Sequence, residues 1–166
     1  MHRGRGIVVA SLERGDVVDL FAVQAHLTGE LAPRAAGALD ADGLAALRAR
    51  AAEVDELIAA GDRAGRDPRD LVLAEAEHRF HAALNRAAGA RKLAWLVGRA
   101  AHYLPPRFYT DRQAWRVATV EAHRRLLAAL AAGDADTARA AMEGHVLDGR
   151  DLLVAHLEAV GFWDET

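Results

Sequence analysis

Hydrophobic residues from Asp16 onward recur every three or four positions, the spacing typical of helices with one buried face. Together with helix caps and helix breakers, this spacing predicts about six helices, at residues 16–36, 40–61, 67–88, 91–103, 113–132 and 134–160. The short connections between the last three favour antiparallel neighbours. The sequence therefore predicts an all-α fold, an antiparallel bundle of about six helices.

Two segments depart from this helical pattern. Pro33 lies inside the first predicted helix, which predicts a kink or a break near residue 32. Residues 4–10 (GRGIVVA) indicate a turn followed by a short β-branched strand, or else a disordered leader. We accordingly divide the chain into a leading segment at 1–15, a helical domain at 16–160 and a tail at 161–166.

The third predicted helix carries polar residues on its apolar face. Glu77 and His81 are one turn apart and project from the same side as Phe80 and Leu84. The opposite side is predicted to carry Glu75, His78, Arg79 and Asn85. A carboxylate and an imidazole directed into a helical core cost several kcal/mol without partners, so something must satisfy them.

Two later helices also direct histidines inward. His123 follows Thr119 on the apolar face of the fifth helix, and His145 lies on that of the sixth. Three imidazoles and one carboxylate suit a divalent metal ion such as zinc, nickel or manganese. The alternative is that each histidine is a hydrogen-bonded core residue. His156 shares a face with His145, but about 16 Å of helix separates them, so it either lines a pocket or packs.

Composition excludes several other classes of protein. The chain has no cysteine, which excludes disulfides and thiolate metal sites. Its net charge is −3 and its arginines are dispersed among acidic residues, which argues against nucleic-acid binding by this chain alone. Apolar runs are too short to span a bilayer, and the amino terminus does not resemble a signal peptide. We therefore expect a cytoplasmic protein with no membrane partner.

Three short motifs, in order along the chain, resemble one family. Residues 77–84 (EHRFHAAL), followed by Ala88 and Gly89, are similar to the Asp-x-x-Phe-His-x-x-Leu pattern of the FCD domain, the effector domain of FadR-type GntR transcriptional regulators. Residues 123–134 resemble its Glu-His-x-x-Ile helix that ends in Ala-Gly-Asp, and residues 141–145 (AMEGH) its Ala-Met-x-x-His motif. The resemblance covers about residues 16–160.

The resemblance also offers an interpretation of the predicted strand at residues 4–10. They are similar to the last wing strand of the winged helix-turn-helix that precedes the FCD domain in such regulators. The helices that read DNA are absent from this sequence. The resemblance implies either a truncated regulator or an effector domain encoded alone, with DNA bound only through a winged helix-turn-helix outside this chain.

The resemblance implies a ligand set and a class of effector. A divalent metal ion would be held by Glu77, His81, His123 and His145, and its open coordination positions would take the carboxylate of a small organic acid. Glu77 stands where the family usually has aspartate. Gln24 and Thr28 occupy positions where arginine and glutamate are common, so the effector or its affinity is expected to differ. We name Gln24, Thr119 and His156 as candidate ligand-binding residues.

The sequence is thus interpreted as the ligand-sensing, metal-containing and homodimerising domain of a GntR-type regulator, and not as an enzyme. Two alternatives remain. The same donor set with open positions could activate water, as in a small metal-dependent hydrolase or isomerase. The chain could also be a metal-free helical interaction module.

Overall fold

The structure, a computed structural model, describes residues 12–60, 69–104 and 113–164. In these ranges it contains six helices and no strand. They are α1 (Arg14–Ala38), α2 (Ala41–Ala60), α3 (Arg69–Ala87), α4 (Arg91–Ala101), α5 (Gln113–Ala132) and α6 (Ala135–Ala159). The predicted all-α bundle is confirmed, whereas the predicted strand at residues 4–10 lies outside the described residues.

Helix α1 continues through Pro33, so of the predicted kink or break near residue 32 the break is wrong, and a kink stays a prediction. Proline inside a helix removes one backbone hydrogen bond and costs about 3 kcal/mol. The residues around it compensate by burial, since Leu31, Ala32 and Ala35 are all completely inaccessible to solvent. Tertiary packing therefore outweighs the local preference to interrupt the helix.

The central core is built from five of the six helices. Its members include Ala32 of α1, Leu47 of α2, Phe80 of α3, Leu126 of α5 and Met142 of α6. The most extensive helix pairing is α1 with α6, followed by α5 with α6. Because α3, α5 and α6 are all anchored in this core, polar side chains on their inner faces are held in fixed relative positions.

The turn between α5 and α6 consists of two residues, and both specify it. Gly133 has φ of 66°, a left-handed conformation that costs glycine no steric strain and terminates α5. Asp134 then caps α6, because its carboxylate accepts hydrogen bonds from the backbone N–H and the hydroxyl of Thr137. This two-residue turn makes α5 and α6 antiparallel neighbours.

Helix α4 lies at the edge of the bundle. Its contacts with other helices are to α1 and α3, and none of the residues in Arg91–Ala101 is buried. Trp95 and Leu96 are exposed, Trp95 to 60%. Among the described residues, no helix combines the length and the apolar character that crossing a membrane requires.

Candidate metal centre

Helix α3 supplies two of the candidate ligands from one face. Phe80 and Leu84 on that face are completely buried and fix the helix against the core. Glu77 is therefore carried inside as well, at 8% exposure, and His81 one turn later is partly buried. The Nε2 atom of His81 lies 3.1 Å from Oε1 of Glu77.

Helices α5 and α6 bring one histidine each to the same carboxylate oxygen. Nε2 of His123 lies 3.4 Å and Nε2 of His145 lies 3.3 Å from Oε1 of Glu77. His123 is 1% exposed and stacks at a tilt against Phe80, with ring centroids 4.1 Å apart. Nε2 of His81 lies 3.1 Å from Nε2 of His145. The four predicted ligands thus converge from three helices.

These residues fit a divalent metal ion. Zinc binds imidazole nitrogen and carboxylate oxygen at about 2.0–2.2 Å, so two ligand atoms at angles of about 90–110° lie about 3.0–3.5 Å apart. The separations of 3.1 to 3.4 Å around Oε1 of Glu77 fall within this range. All four ligand atoms lie within 4.8 Å of one another.

Unpartnered atoms in the cluster favour the same interpretation. Within the described residues, Oε2 of Glu77 and both ring nitrogens of His123 are buried without a hydrogen-bond partner. A buried polar atom without a partner costs about 1–3 kcal/mol. A shared cation would remove that cost for a carboxylate oxygen or an imidazole nitrogen, whereas packing alone would not.

The electrostatics of the cluster favour the ionised carboxylate. Burial raises the pKa of Glu77, but the imidazoles of His123, His81 and His145 around its carboxylate outweigh burial and hold that pKa well below its ordinary value. A carboxylate that stays ionised and imidazoles that converge on it make a donor set ready for a cation.

A further acidic residue, Asp55 of α2, lies close enough to the cluster for His123 and Glu77 to affect its pKa. Partial burial raises the pKa of Asp55, the charge of His123 opposes the rise, and the negative charge of Glu77 adds to it. The sequence analysis did not identify Asp55. It follows the buried Val54 of the α2 stripe, but nothing in the sequence indicates that α2 packs beside α5 at this level.

A cavity of about 420 Å³ adjoins the cluster. Glu77, His81 and His145 line one part of it. The rest of the lining is mostly apolar and comes from α1, α3, α4, α5, α6 and Leu104, including Phe21, Ala94, Val97, Gly98, Ala101, Trp115, Met142 and Val146. Its size and composition are those of a small-molecule site, which is concave, largely apolar and has a few polar groups.

Two first-helix residues noted in the sequence, Gln24 and Thr28, line this cavity and are buried. The hydroxyl of Thr28 already donates to the backbone oxygen of Gln24, at 2.8 Å. Thr119 and His156 are not among the lining residues. Their assignment as ligand-binding residues stays a prediction, as does that of Gln24.

The placement of Asn85 corrects the sequence analysis. It was predicted to face away from the apolar side of α3, yet it is 8% exposed and lines the cavity. The prediction was wrong because it assumed that α3 buries only one face. The helix contacts α1 and α4 as well as α2, so residues beyond that face are buried too. His78 is exposed as expected, but it too lines the cavity, together with the exposed Arg86.

Comparisons with known proteins agree with the fold and the motifs. The sequence model of the FCD domain family matches residues 19–148. A search of curated proteins found no significant match. Among solved structures, Streptococcus agalactiae GntR is similar, with a TM-score of 0.66 and 19% sequence identity over 90% of this chain and 72% of that chain. The chain therefore belongs to the FCD domain family, the effector-binding domains of FadR-type GntR transcriptional regulators.

Proposed function

We propose that this domain is a sensor in which a divalent metal ion, held by Glu77, His81, His123 and His145, binds the carboxylate of a small organic acid. The observation that carries the proposal is the convergence of four donor atoms within 4.8 Å at a cavity of about 420 Å³. Zinc, nickel and manganese all accept such nitrogen and oxygen donors. A cation with four protein ligands and an open position can take a carboxylate oxygen.

The charge around the cavity supports an anionic effector. His78 and Arg86 line it and are exposed, so a positive side chain lies beside the path that a small acid would follow. Bound metal would add positive charge deeper inside. The apolar remainder of the lining suits a short carbon chain attached to the carboxylate.

The proposed role is regulatory rather than enzymatic, as in the family. Effector binding would change helix packing and, in a homodimer, the spacing of the attached winged helix-turn-helix domains that contact DNA. The exposed Trp95, Leu96 and Tyr103 at α4 and its carboxyl end support association between copies. Measuring the molar mass in solution tests the homodimer.

Metal analysis tests the centre. Protein purified without a metal-affinity tag should contain close to one equivalent of metal per chain, whereas a His123→Ala variant should lose most of it. His26→Ala is a matched control, because His26 is an exposed histidine on α1 outside the cluster. Wild-type protein without bound metal, and without affinity for added zinc, nickel or manganese, would refute the site.

Thermal stability then tests sensing. A ligand at one hundred times its dissociation constant stabilises the folded state by about 2.7 kcal/mol. For a chain of this length, that corresponds to a rise in Tm of about 5–11 °C. The rise should require metal and disappear with a chelator. Conversion of the acid into a product by the metal-loaded protein would favour the enzyme alternative instead.

A further inference from the structure

Arg86, near the carboxyl end of α3, is a positively charged residue of the cavity that the proposed metal centre does not use. It lines the cavity and is exposed, so a molecule bound there can reach its side chain. Within the part of the chain that the structure describes, no hydrogen bond or ion pair occupies it. Its guanidinium carries five N–H donors and keeps its charge at any physiological pH.

The residues of α3 that line the cavity form two neighbouring rows. One row carries the metal ligands Glu77 and His81 and is buried or partly buried. The other row carries His78 and Arg86, which are both exposed. Arg86 lies five residues beyond His81, which is about 7.5 Å along the helix. A molecule held at the metal centre by one end can therefore place its other end against Arg86.

The charges of the lining are unbalanced once a divalent ion is bound. Glu77 supplies the only carboxylate among the described lining residues, and Arg86 adds a permanent positive charge. With the imidazoles neutral, the ion, this carboxylate and this guanidinium leave an excess of two positive charges. A monocarboxylate offsets one of them, whereas an acid with two carboxylates offsets both.

We propose that Arg86 binds a second carboxylate of the effector, so that the effector is a short aliphatic dicarboxylic acid. One carboxylate binds the metal ion, and the other accepts hydrogen bonds from the guanidinium, whose planar donors match a carboxylate. The carbon chain between them contacts the apolar lining. This inference rests on the proposed metal–carboxylate function and names the class of acid that the site takes.

Isothermal titration of the zinc-loaded protein at low salt tests the proposal. The probes are succinate, glutarate, adipate and pimelate, the half-amide of each, and the monocarboxylate of the same length. The best dicarboxylate should bind about three- to tenfold more tightly than its monocarboxylate, the gain expected of a charge-assisted pair that is open to water. The half-amide keeps the shape but lacks the second charge, so it should bind like the monocarboxylate. High salt should reduce the preference, because salt screens an exposed ion pair.

Three variants separate recognition by Arg86 from general effects. Arg86→Gln keeps much of the side chain and removes its charge, so the ratio of dicarboxylate to monocarboxylate affinity should fall to about one. Arg86→Lys keeps the charge without the planar fork and should retain part of the preference. Arg91→Gln is the matched control, since Arg91 is an exposed arginine of α4 outside the lining, and it should leave the ratio unchanged. Zinc content should be the same in all of these proteins, because neither arginine is a candidate ligand.

The possible failures can be told apart. Equal binding of dicarboxylate and monocarboxylate by the wild type would overturn the role of Arg86 while leaving the metal-dependent sensor intact. A half-amide that binds as tightly as the dicarboxylate, or a preference that survives in Arg86→Gln or is lost equally in Arg91→Gln, would do the same. Absence of binding by every acid to zinc-loaded protein would refute the proposed function itself and, with it, this inference.

Discussion

Replacing Asn85 by leucine should make the metal-free domain more stable. The two side chains are similar in size, but Oδ1 of Asn85 is buried and has no partner among the residues that the structure describes, which costs about 1–3 kcal/mol. Leucine removes that cost, although the hydration of the amide nitrogen is lost as well. We therefore expect the free energy of unfolding to rise by about 1–2 kcal/mol, and Tm by about 2–8 °C.

Urea denaturation followed by far-ultraviolet circular dichroism measures this effect in the presence of a chelator. The comparison should include Asn85→Ala, which removes the same acceptor but leaves space. Each buried methylene contributes about 0.8 kcal/mol, so the alanine variant should be less stable than the leucine variant. Similar m-values in all three proteins are required, because a changed slope would indicate a changed unfolded state or a loss of two-state behaviour.

A loss of stability in Asn85→Leu at an unchanged m-value would refute this reasoning. It would mean that Oδ1 is satisfied within the fold.

Three further predictions concern other parts of the fold. A Cβ atom at Gly29 of α1 would lie 2.6 Å from Cγ of Glu143 on α6, and the three nearest atoms all belong to that side chain. Replacing a helical glycine by alanine usually stabilises a protein by about 1 kcal/mol, and Gly29→Ala should do so only when Glu143 is also replaced by alanine. A double-mutant cycle in urea measures this coupling, and equal effects in both backgrounds would contradict it. Folding lowers the pKa of Glu77, so the ionised carboxylate stabilises the native state. The difference in free energy of unfolding between the metal-free wild type and Glu77→Gln should therefore shrink as the pH falls below 4.5, the ordinary pKa of the group. A difference that grows below that pH would contradict the prediction. Asp134→Ala removes the cap of α6 and should lower Tm by about 2–4 °C in calorimetry, whereas Asp136→Ala, within the first turn, should have a smaller effect.

The local parts of the site follow from the sequence, and the long-range parts do not. A spacing of four residues places Glu77 and His81 on one helical face whatever the fold, so their proximity could be predicted. His145 lies 64 residues from His81, and no local rule fixes that distance. Its convergence with His123 was suggested by inward orientation and by family resemblance.

The errors have physical causes in the packing between helices. Asn85 was assigned to the exposed side because a single stripe was assumed, yet α4 covers a second side of α3 and encloses the cavity. The continuity of α1 through Pro33 depends on complete burial of its neighbours, which local propensity does not contain. Asp55 was missed for the same reason, since its influence on the cluster exists only once α2 packs beside α5.

The cavity has one wall that belongs to the central core and another, on α4, whose residues are not buried. The donor atoms lie on α3, α5 and α6, whose residues Phe80, Leu126 and Met142 belong to the central core. Helix α4 also lines the cavity, yet none of its residues is buried. A metal ion would link three helices that are already held together, because its ligands come from each of them. An organic acid bound as proposed would add contacts between the core wall and α4, and its binding energy would then bear on the position of α4.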